Sequence, residues 1–328
     1  MNRSYLPATP TGPGEQIPAD LLCIHGLPTR IRCGRCHPTT EVLAQLSPQR
    51  VLNGLLCGFD CPAESQEVVT VLHQRAPAFA PAVRAADLVR RRAVATLVSR
   101  SPWVGGVLEL GAGFPDEHDN YVEIQARLAG LAMVRVQHDP VIAAHGRALL
   151  ETSPASRYWH ADHTDPTVAT AAIAHFGRTP IVVDLAPLLL ESITDAAEYV
   201  RAAISVLASG SYVVLTHLSA DHDPATAEAA ARTYSDTEHR HTAGGATDPA
   251  HRFALHPRTA AQITAMLTGA DPLGPGLALV GDLISADDAA EVHSRRPPGA
   301  NPPPADRRHT ASTAAPLTCC YAAIARIS

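Results

Sequence analysis

Val107-Leu108-Glu109-Leu110-Gly111-Ala112-Gly113-Phe114-Pro115 is the stretch that decides the fold. An apolar run passes straight into Gly-x-Gly, and backbone bare of side chains just beyond a strand lets a nucleotide approach closely. A tight turn is the other reading of the same residues. The surrounding chain favours the first. Apolar runs at Val104–Leu110, Met133–Val136, Tyr158–Ala161, Ile181–Leu185 and Ser211–Leu218 alternate with helix-like segments near 121–130, 140–150, 165–175, 195–208 and 223–234. That alternation predicts right-handed βαβ units and an α/β, Rossmann-like, mostly parallel sheet. Two later runs, Leu277–Ile284 and Cys319–Ile327, are predicted to pair antiparallel at the sheet edge, giving about seven strands in all.

The ligand follows from what the loop lacks. A dinucleotide fingerprint wants a third glycine at position 116, where this chain has Asp116. A carboxylate there opposes a pyrophosphate, so a nucleoside without phosphate, such as S-adenosylmethionine, suits the loop better, and a nicotinamide oxidoreductase suits it less. Glu109 is placed to order the loop and face the ammonium end of such a ligand. Gly111, Gly113 and Phe114 would form the cradle. Ligands of open α/β sheets lie beyond the C-terminal strand ends. Gln137, His138 and Asp139 after the second strand are candidates for the ribose, Asp162 after the third for the adenine amino group, and Asp184 at the end of the fourth as a further contact. Asp162 reads equally well as a turn or helix cap. Methyl transfer needs alignment first and a base when the nucleophile carries a proton. His217 at the end of the fifth strand and His138 are the candidate bases, with a capping or backbone-bonded histidine as the alternative.

These motifs, taken in order, resemble an actinobacterial family of S-adenosylmethionine-dependent methyltransferases long carried as a domain of unknown function. Ser47-Pro48-Gln49-Arg50-Val51-Leu52-Asn53-Gly54-Leu55-Leu56-Cys57-Gly58 is similar to its opening segment. Arg91-Arg92-Ala93-Val94, Leu110 to Pro115, His138-Asp139-Pro140-Val141, Ala148-Leu149-Leu150, Ala161-Asp162 with Asp165-Pro166, Gly210 to His217 and Tyr321 to Arg326 follow in the family's order. The resemblance covers about residues 47–328. It implies a class I methyltransferase fold, S-adenosylmethionine as cofactor and methyl transfer. The chain departs from the family at Gln137, where an acid is usual, and at Leu52-Asn53, Ala86-Asp87 and Glu191-Ser192. Those departures fall where a cofactor pocket would be lined, so a protein of this fold with altered or lost catalysis is the alternative.

The N-terminal region reads differently. Residues 1–19 hold four prolines and two glycines without periodicity and read as a flexible tail. Residues 20–46 carry Cys23, His25, Cys33, Cys36 and His37. A Cys-x-x-Cys hairpin with further Cys and His nearby is a zinc half-site, and metal would help so short and polar a segment to fold. Free thiols and a redox Cys-x-x-Cys are the alternatives. Residues 47–103 are expected to form a helical cap and residues 104–328 the cofactor-binding α/β domain. Ser235–His251 and Ser285–Thr318 are read as long loops.

Composition bounds the partners. The 328 residues suffice for one large α/β domain with an appendage. All 26 basic residues are arginine against 32 acidic ones, and the net charge of -6 argues against a protein built chiefly to bind nucleic acid, leaving the arginines at 30, 32 and 35 as the only local exception. There is neither an apolar run of membrane-spanning length nor a signal-peptide pattern, so the chain is expected in the cytoplasm, its seven cysteines as thiols or metal ligands. The expected partner is a small-molecule substrate, with a homodimer compatible with the same reading.

Overall fold

A computed structural model of the chain describes residues 46–58, 60–116, 126, 128–242, 253–295 and 317–328. Three helices come first: α1 (Pro48–Leu55), α2 (Ala63–Arg75) and α3 (Phe79–Arg100). The parallel strands are β1 (Gly106–Leu110), β2 (Ala132–Gln137), β3 (Ser156–His160), β4 (Ile181–Leu185) and β5 (Tyr212–Leu218). Helices α4 (Pro140–Leu150), α5 (Pro166–Ala174), α6 (Leu189–Ser192) and α7 (Ala196–Val206) lie between them. After β5 come α8 (Pro224–Thr242), α9 (Ala260–Met266), the two-residue strands β6 (Asp271–Pro272) and β7 (Ala278–Leu279), α10 (Ala286–Ser294) and β8 (Cys320–Arg326).

Several helix starts are written in the sequence as a polar cap followed by proline. Ser47-Pro48, Asp139-Pro140 and Asp165-Pro166 open α1, α4 and α5, each cap side chain accepting from the first turn and each proline sitting where no N–H is required. Thr259 with Gln262 and Ser285 with Asp288 close reciprocal capping boxes on α9 and α10.

The strand order is β3-β2-β1-β4-β5-β8-β6, with β7 also on β8. The chain reverses direction of winding between β1 and β4, so their C-terminal ends flank the switch point where such sheets bind ligands. Both faces are covered, which is why β1, β4 and β5 are buried throughout and read as largely apolar runs, interrupted by Glu109, Asp184, Thr216 and His217. Leu108, Leu110, Val183 and Val213 face α5, α7 and α9, while Val107, Met133, Val182 and Val214 face α3. Strand β8 runs antiparallel to β5, Tyr212 opposite Arg326 and Leu218 opposite Cys320.

The structure amends several expectations. The two late runs do pair antiparallel, Ala278 of β7 opposite Ala322 and Leu279 opposite Tyr321 of β8, but β8 itself lies between β5 and the short β6 and β7. The run Leu277–Ile284 yields only β7 before turning into a 3-10 helix at Val280–Asp282, where a Cβ on Gly281 would stand 3.2 Å from the Leu317 carbonyl oxygen. The first part of the expected loop 235–251 is helical to Thr242, with Thr237 buried and bonded back to the Thr233 carbonyl at 2.8 Å. Residues 286–294 of the second loop are α10, whose Val292 is buried and whose Asp288 takes two hydrogen bonds from Arg92, both 2.7 Å. Helix α3 is a layer of the sandwich against β4, β5 and β8, not a separate cap. The segments 1–45 and 117–125, with part of the helix expected near 121–130, lie outside the described residues. No helix among the described residues is long and apolar enough to cross a membrane.

Two arginines join the early helices to the rest. Buried Arg84 donates to Leu55 O at 2.7 Å and to Val292 O at 3.0 Å, a cation on the C-terminal carbonyls of α1 and α10. Buried Arg50 donates twice to Asp139, at 2.8 and 3.0 Å, and Ser47 donates to the same carboxylate at 2.6 Å. Removing one partner of such a pair strands the other. Arg50→Met is therefore expected to cost about 3–5 kcal/mol in a urea unfolding titration. Arg75→Met, which breaks an exposed pair with Asp236, is expected to cost at most about 1 kcal/mol.

Candidate functional site

The glycine loop is held from below by its neighbours. Gly111 turns the chain at φ +80°, and its N–H donates to Val136 O at 3.0 Å. Gln137 Nε2 donates to Ala112 O at 2.5 Å, and Tyr158 Oη donates to Gly113 O at 3.0 Å. Tyr158 can reach only because position 146 lacks a side chain: a Cβ on Gly146 would fall 2.0 Å from the Tyr158 ring. On the other side of the loop, a Cβ added at Gly113 would meet no atom of the described residues within 4 Å. Phe114 is turned inward, packed with Val141, Ile142 and Tyr158 and edge-on to His145 at 5.4 Å.

The ends of β2 and β3 are engaged by the protein itself. Gln137 is fully buried, and both ends of its amide are used: besides the bond to Ala112, Oε1 accepts from Asp139 N at 2.9 Å. Asp139 caps α4 through Val141 N at 2.9 Å and holds Arg50 and Ser47. Burial alone would raise its pKa, but the bonds and charge of Arg50 outweigh that and hold the carboxyl below the usual range. No carboxylate at the end of β2 is thus presented as the sequence suggested. Asp162 forms a local turn, accepting from Thr164 N at 2.9 Å and Thr164 Oγ1 at 2.6 Å. The His138 and His163 rings stack obliquely, their Nδ1 atoms 3.3 Å apart. His163 also lies beside Gly111 and 3.2 Å from Gln49 Nε2.

At the switch point stands a buried charge cluster. Arg135, Glu109 and Asp184 occupy one row across β2, β1 and β4. From α3, Arg90 donates to Asp87 at 2.8 Å, to Glu109 at 3.4 Å and, very closely, to Asp184. Arg91 holds Asp87 at 2.7 Å and Asp116 at 2.8 Å. Asp87 has Arg91 as a second partner and Glu109 has Arg135 at 3.3 Å, whereas Asp184 depends on Arg90. Burial works against the charge on Arg90, yet Asp184, Asp87 and Glu109 keep it firmly protonated. Burial would raise Asp87, but Arg91 and Arg90 hold it below the usual range. Asp184 is the acid that yields. Burial, opposed by Arg90 and reinforced by Glu109 and Asp87, pushes it up to about 7. Its Oδ1 is buried and accepts no hydrogen bond from the described residues.

His217 is completely buried at the far end of β5. Its Nδ1 donates to Leu218 O at 2.9 Å and its Nε2 accepts from Arg258 Nη1 at 2.9 Å, so both nitrogens are occupied. Burial chiefly lowers its pKa and keeps the ring neutral. The structure therefore puts Glu109 and Asp184 side by side on β1 and β4, with Gly111 directly after β1, and gives both ring nitrogens of His217 partners within the protein. Cys23, His25, Cys33, Cys36 and His37 lie outside the described residues, among which no group of three or more metal-ligating side chains occurs. Cys319 and Cys320 are buried in the core, as expected of an apolar strand. Arg90, Tyr158 and Gly146 were not singled out in the sequence. The one signal for Arg90 is three consecutive arginines on a helix that must pack against a sheet.

Comparison with known proteins shows the family and the fold. A family model described as S-adenosyl methyltransferase matches residues 41–296. Among solved structures, a candidate methyltransferase from Thermobifida fusca YX is similar with a TM-score of 0.65 at 20% identity, over 89% of this chain and 98% of that one. A DUF574-family protein from Streptomyces avermitilis MA-4680 gives 0.63 at 20% identity, over 85% of this chain and 97% of that one. At that identity these structures speak for the fold. No curated protein matches the chain.

A titration of the free protein followed through the Asp184 carboxyl carbon by NMR is expected to show a midpoint near 7. Because the folded value lies above the ordinary one near 3.8, the stability Asp184 contributes is present below that value and is lost as pH rises through about 7. In Asp184→Asn the fall in urea midpoint between about pH 5 and pH 8 should be smaller than in the parent; an equal fall would place the titration elsewhere.

Proposed function

Because this chain belongs to the S-adenosyl methyltransferase family, we propose that it transfers the methyl group of S-adenosylmethionine to a small-molecule acceptor bound beyond the C-terminal ends of β1 and β4. The observation that carries this reading is the Asp184 carboxylate, buried at the switch point beside Glu109, whose Oδ1 accepts no hydrogen bond from the described residues.

The residues present fit the cofactor at its amino-acid end. When bound, S-adenosylmethionine supplies an electrophilic methyl carbon on a sulfonium. Glu109 and Asp184 provide negative charge for an ammonium and a sulfonium, and burial makes that charge count for more than it would in water. Gly113 permits close approach of the main chain. Gln137 contributes from behind: by fixing Ala112 O and Asp139 N it sets the position of the loop and the start of α4. In this reading the adenosine end is met by the glycine loop, the His138–His163 pair and the Asp162 turn rather than by an acid on β2. The catalytic contribution of such a site is alignment in a water-poor setting.

The acidic net charge supports a small-molecule acceptor over a nucleic acid. A place in specialised metabolism rests only on the arginine-rich, lysine-free composition. For the N-terminal segment the spacing of Cys23, His25, Cys33, Cys36 and His37 supports a structural zinc. Elemental analysis of the purified chain should then give one zinc, lost in the double variant Cys33→Ser/Cys36→Ser; a metal-free folded chain would end that reading.

Calorimetric titration with S-adenosylhomocysteine tests the main proposal. Binding is expected in the parent. Gly113→Ala should weaken it by at least about tenfold, a loss near 1.4 kcal/mol, while the melting temperature stays put, since the added methyl meets no atom of the described residues within 4 Å. Gly111→Ala should instead lower stability by about 1–2 kcal/mol by forcing a Cβ onto a left-handed turn. A folded parent that binds neither S-adenosylmethionine nor its demethylated product would sink the proposal.

A further inference from the structure

The two buried acids of the strand row are not equivalent. Glu109 has Arg135 at 3.3 Å and Arg90 at 3.4 Å, whereas Asp184 has Arg90, which it shares with Glu109 and Asp87. The charged groups that face Asp184 come from three elements: Asp87, Arg90 and Arg91 from α3, Glu109 from β1, and Arg135 on β2 behind Glu109. On the β5 side its neighbour is Val214, which carries no charge. The Asp184 side chain is buried, and its Oδ1 accepts no hydrogen bond from the described residues. At such an oxygen a further positive charge gains more than it would in water. Asp184 also stands close to the glycine loop in the fold. Two residues on, Ala186 donates from its N–H to Leu110 O at 3.1 Å, and a Cβ on Gly111 would lie 3.3 Å from the Ala186 Cβ.

Resting on the methyl-transfer reading, we infer that Asp184 is the residue by which the site tells the methyl donor from its demethylated product: its carboxylate is the counter-ion of the sulfonium, while Glu109 faces the ammonium that both ligands carry. Glu109 and Asp184 are paired in register on adjacent strands, about 4.8 Å apart. That spacing is comparable with the reach of the short carbon chain between the donor's ammonium and its sulfonium. The product has a neutral thioether in place of the sulfonium, so it brings no charge to Asp184. Burial, opposed by Arg90 and reinforced by Glu109 and Asp87, pushes the Asp184 carboxyl up to about 7. Below that value the free protein holds a proton there, and a sulfonium, whose charge does not depend on pH, drives it off to solvent. The affinity for the donor therefore rises with pH through about 7 and levels off above it, and the affinity for the product does not share that rise. Above about pH 7 a site holding spent product exchanges it readily for fresh donor.

Calorimetric titration of the full chain with S-adenosylmethionine and with S-adenosylhomocysteine, at about pH 6 and about pH 8, tests this. The ratio of donor to product affinity is expected to rise by about three- to tenfold between the two, since a fall of roughly one unit in the Asp184 value on donor binding is worth a factor of about ten. The ratio cancels titrations that both ligands feel alike, such as those of the His138–His163 pair. Asp184→Asn should lower the ratio at about pH 8 and remove its pH dependence, whereas Glu109→Gln should weaken both ligands alike. A second measurement needs no variant to fold. Repeating the parent titrations at about pH 6.5 in two buffers of different ionisation enthalpy counts protons directly, with on the order of half a proton released by the donor and none by the product. A ratio that does not move with pH, or that moves equally in Asp184→Asn, overturns the inference. So does an equal gain by both ligands, which would set Asp184 against the ammonium, and so does a donor that releases no proton. Each of these outcomes leaves cofactor binding, and with it the methyl-transfer reading, standing. A folded parent that binds neither ligand removes both.

Discussion

The carboxylate of Asp139 sets the relation between the helices that precede the sheet and the rim where ligands bind. It starts α4, accepts two hydrogen bonds from Arg50 and one from Ser47, and its own N–H is held by Gln137. Two distant stretches of chain, residues 47–50 and 137–142, therefore meet at one buried anion. Desolvating an ion pair costs several kcal/mol per ion, and the arrangement is sustained because nearly every lone pair of the carboxylate is used. The position of α1 follows from this contact, and with it that of Gln49, whose amide nitrogen lies 3.2 Å from His163.

A second cluster works on the opposite principle. Around Arg90, Asp87 has Arg91 as a second partner and Glu109 has Arg135, so the shortfall is concentrated on Asp184. Asp139 is fully satisfied and fixes structure; Asp184 is under-satisfied and is therefore ready to accept a further positive partner. The same residue type, at the ends of two strands of one sheet, is made structural in one place and receptive in the other by its neighbours alone.

Much of the fold was legible because parallel strands buried on both faces leave largely apolar runs. Ile181–Leu185 and the helix over 140–150 were read to the residue for that reason and because Asp-Pro announces a helix start. Reading failed where pairing partners, not local pattern, decide the element. Leu277–Ile284 has strand-like composition, but only Ala278 and Leu279 pair with β8 before the 3-10 helix begins. For the site, sequence could place Glu109, Gly111, Gly113 and Asp184 at strand ends. It could not show that Gln137 and Asp139 spend their hydrogen bonds on the protein, since their partners lie 25 and 89 residues away. The roles of Arg90, Tyr158 and Gly146 likewise exist only once α3 and α4 have docked.

Strand β8 is the last of the described strands in chain order, yet it sits inside the sheet, with β5 on one side and β6 and β7 on the other. During synthesis, β1 to β5 can pair as soon as they emerge, but the slot beside β5 stays empty until residues 320–326, about a hundred positions later, have been made. For that interval the N–H and C=O groups along the buried-to-be edge of β5 are exposed, an invitation to pair with another chain. Domains of this kind ripen from one side, and the seam that closes last is the one a nascent chain has most need to protect.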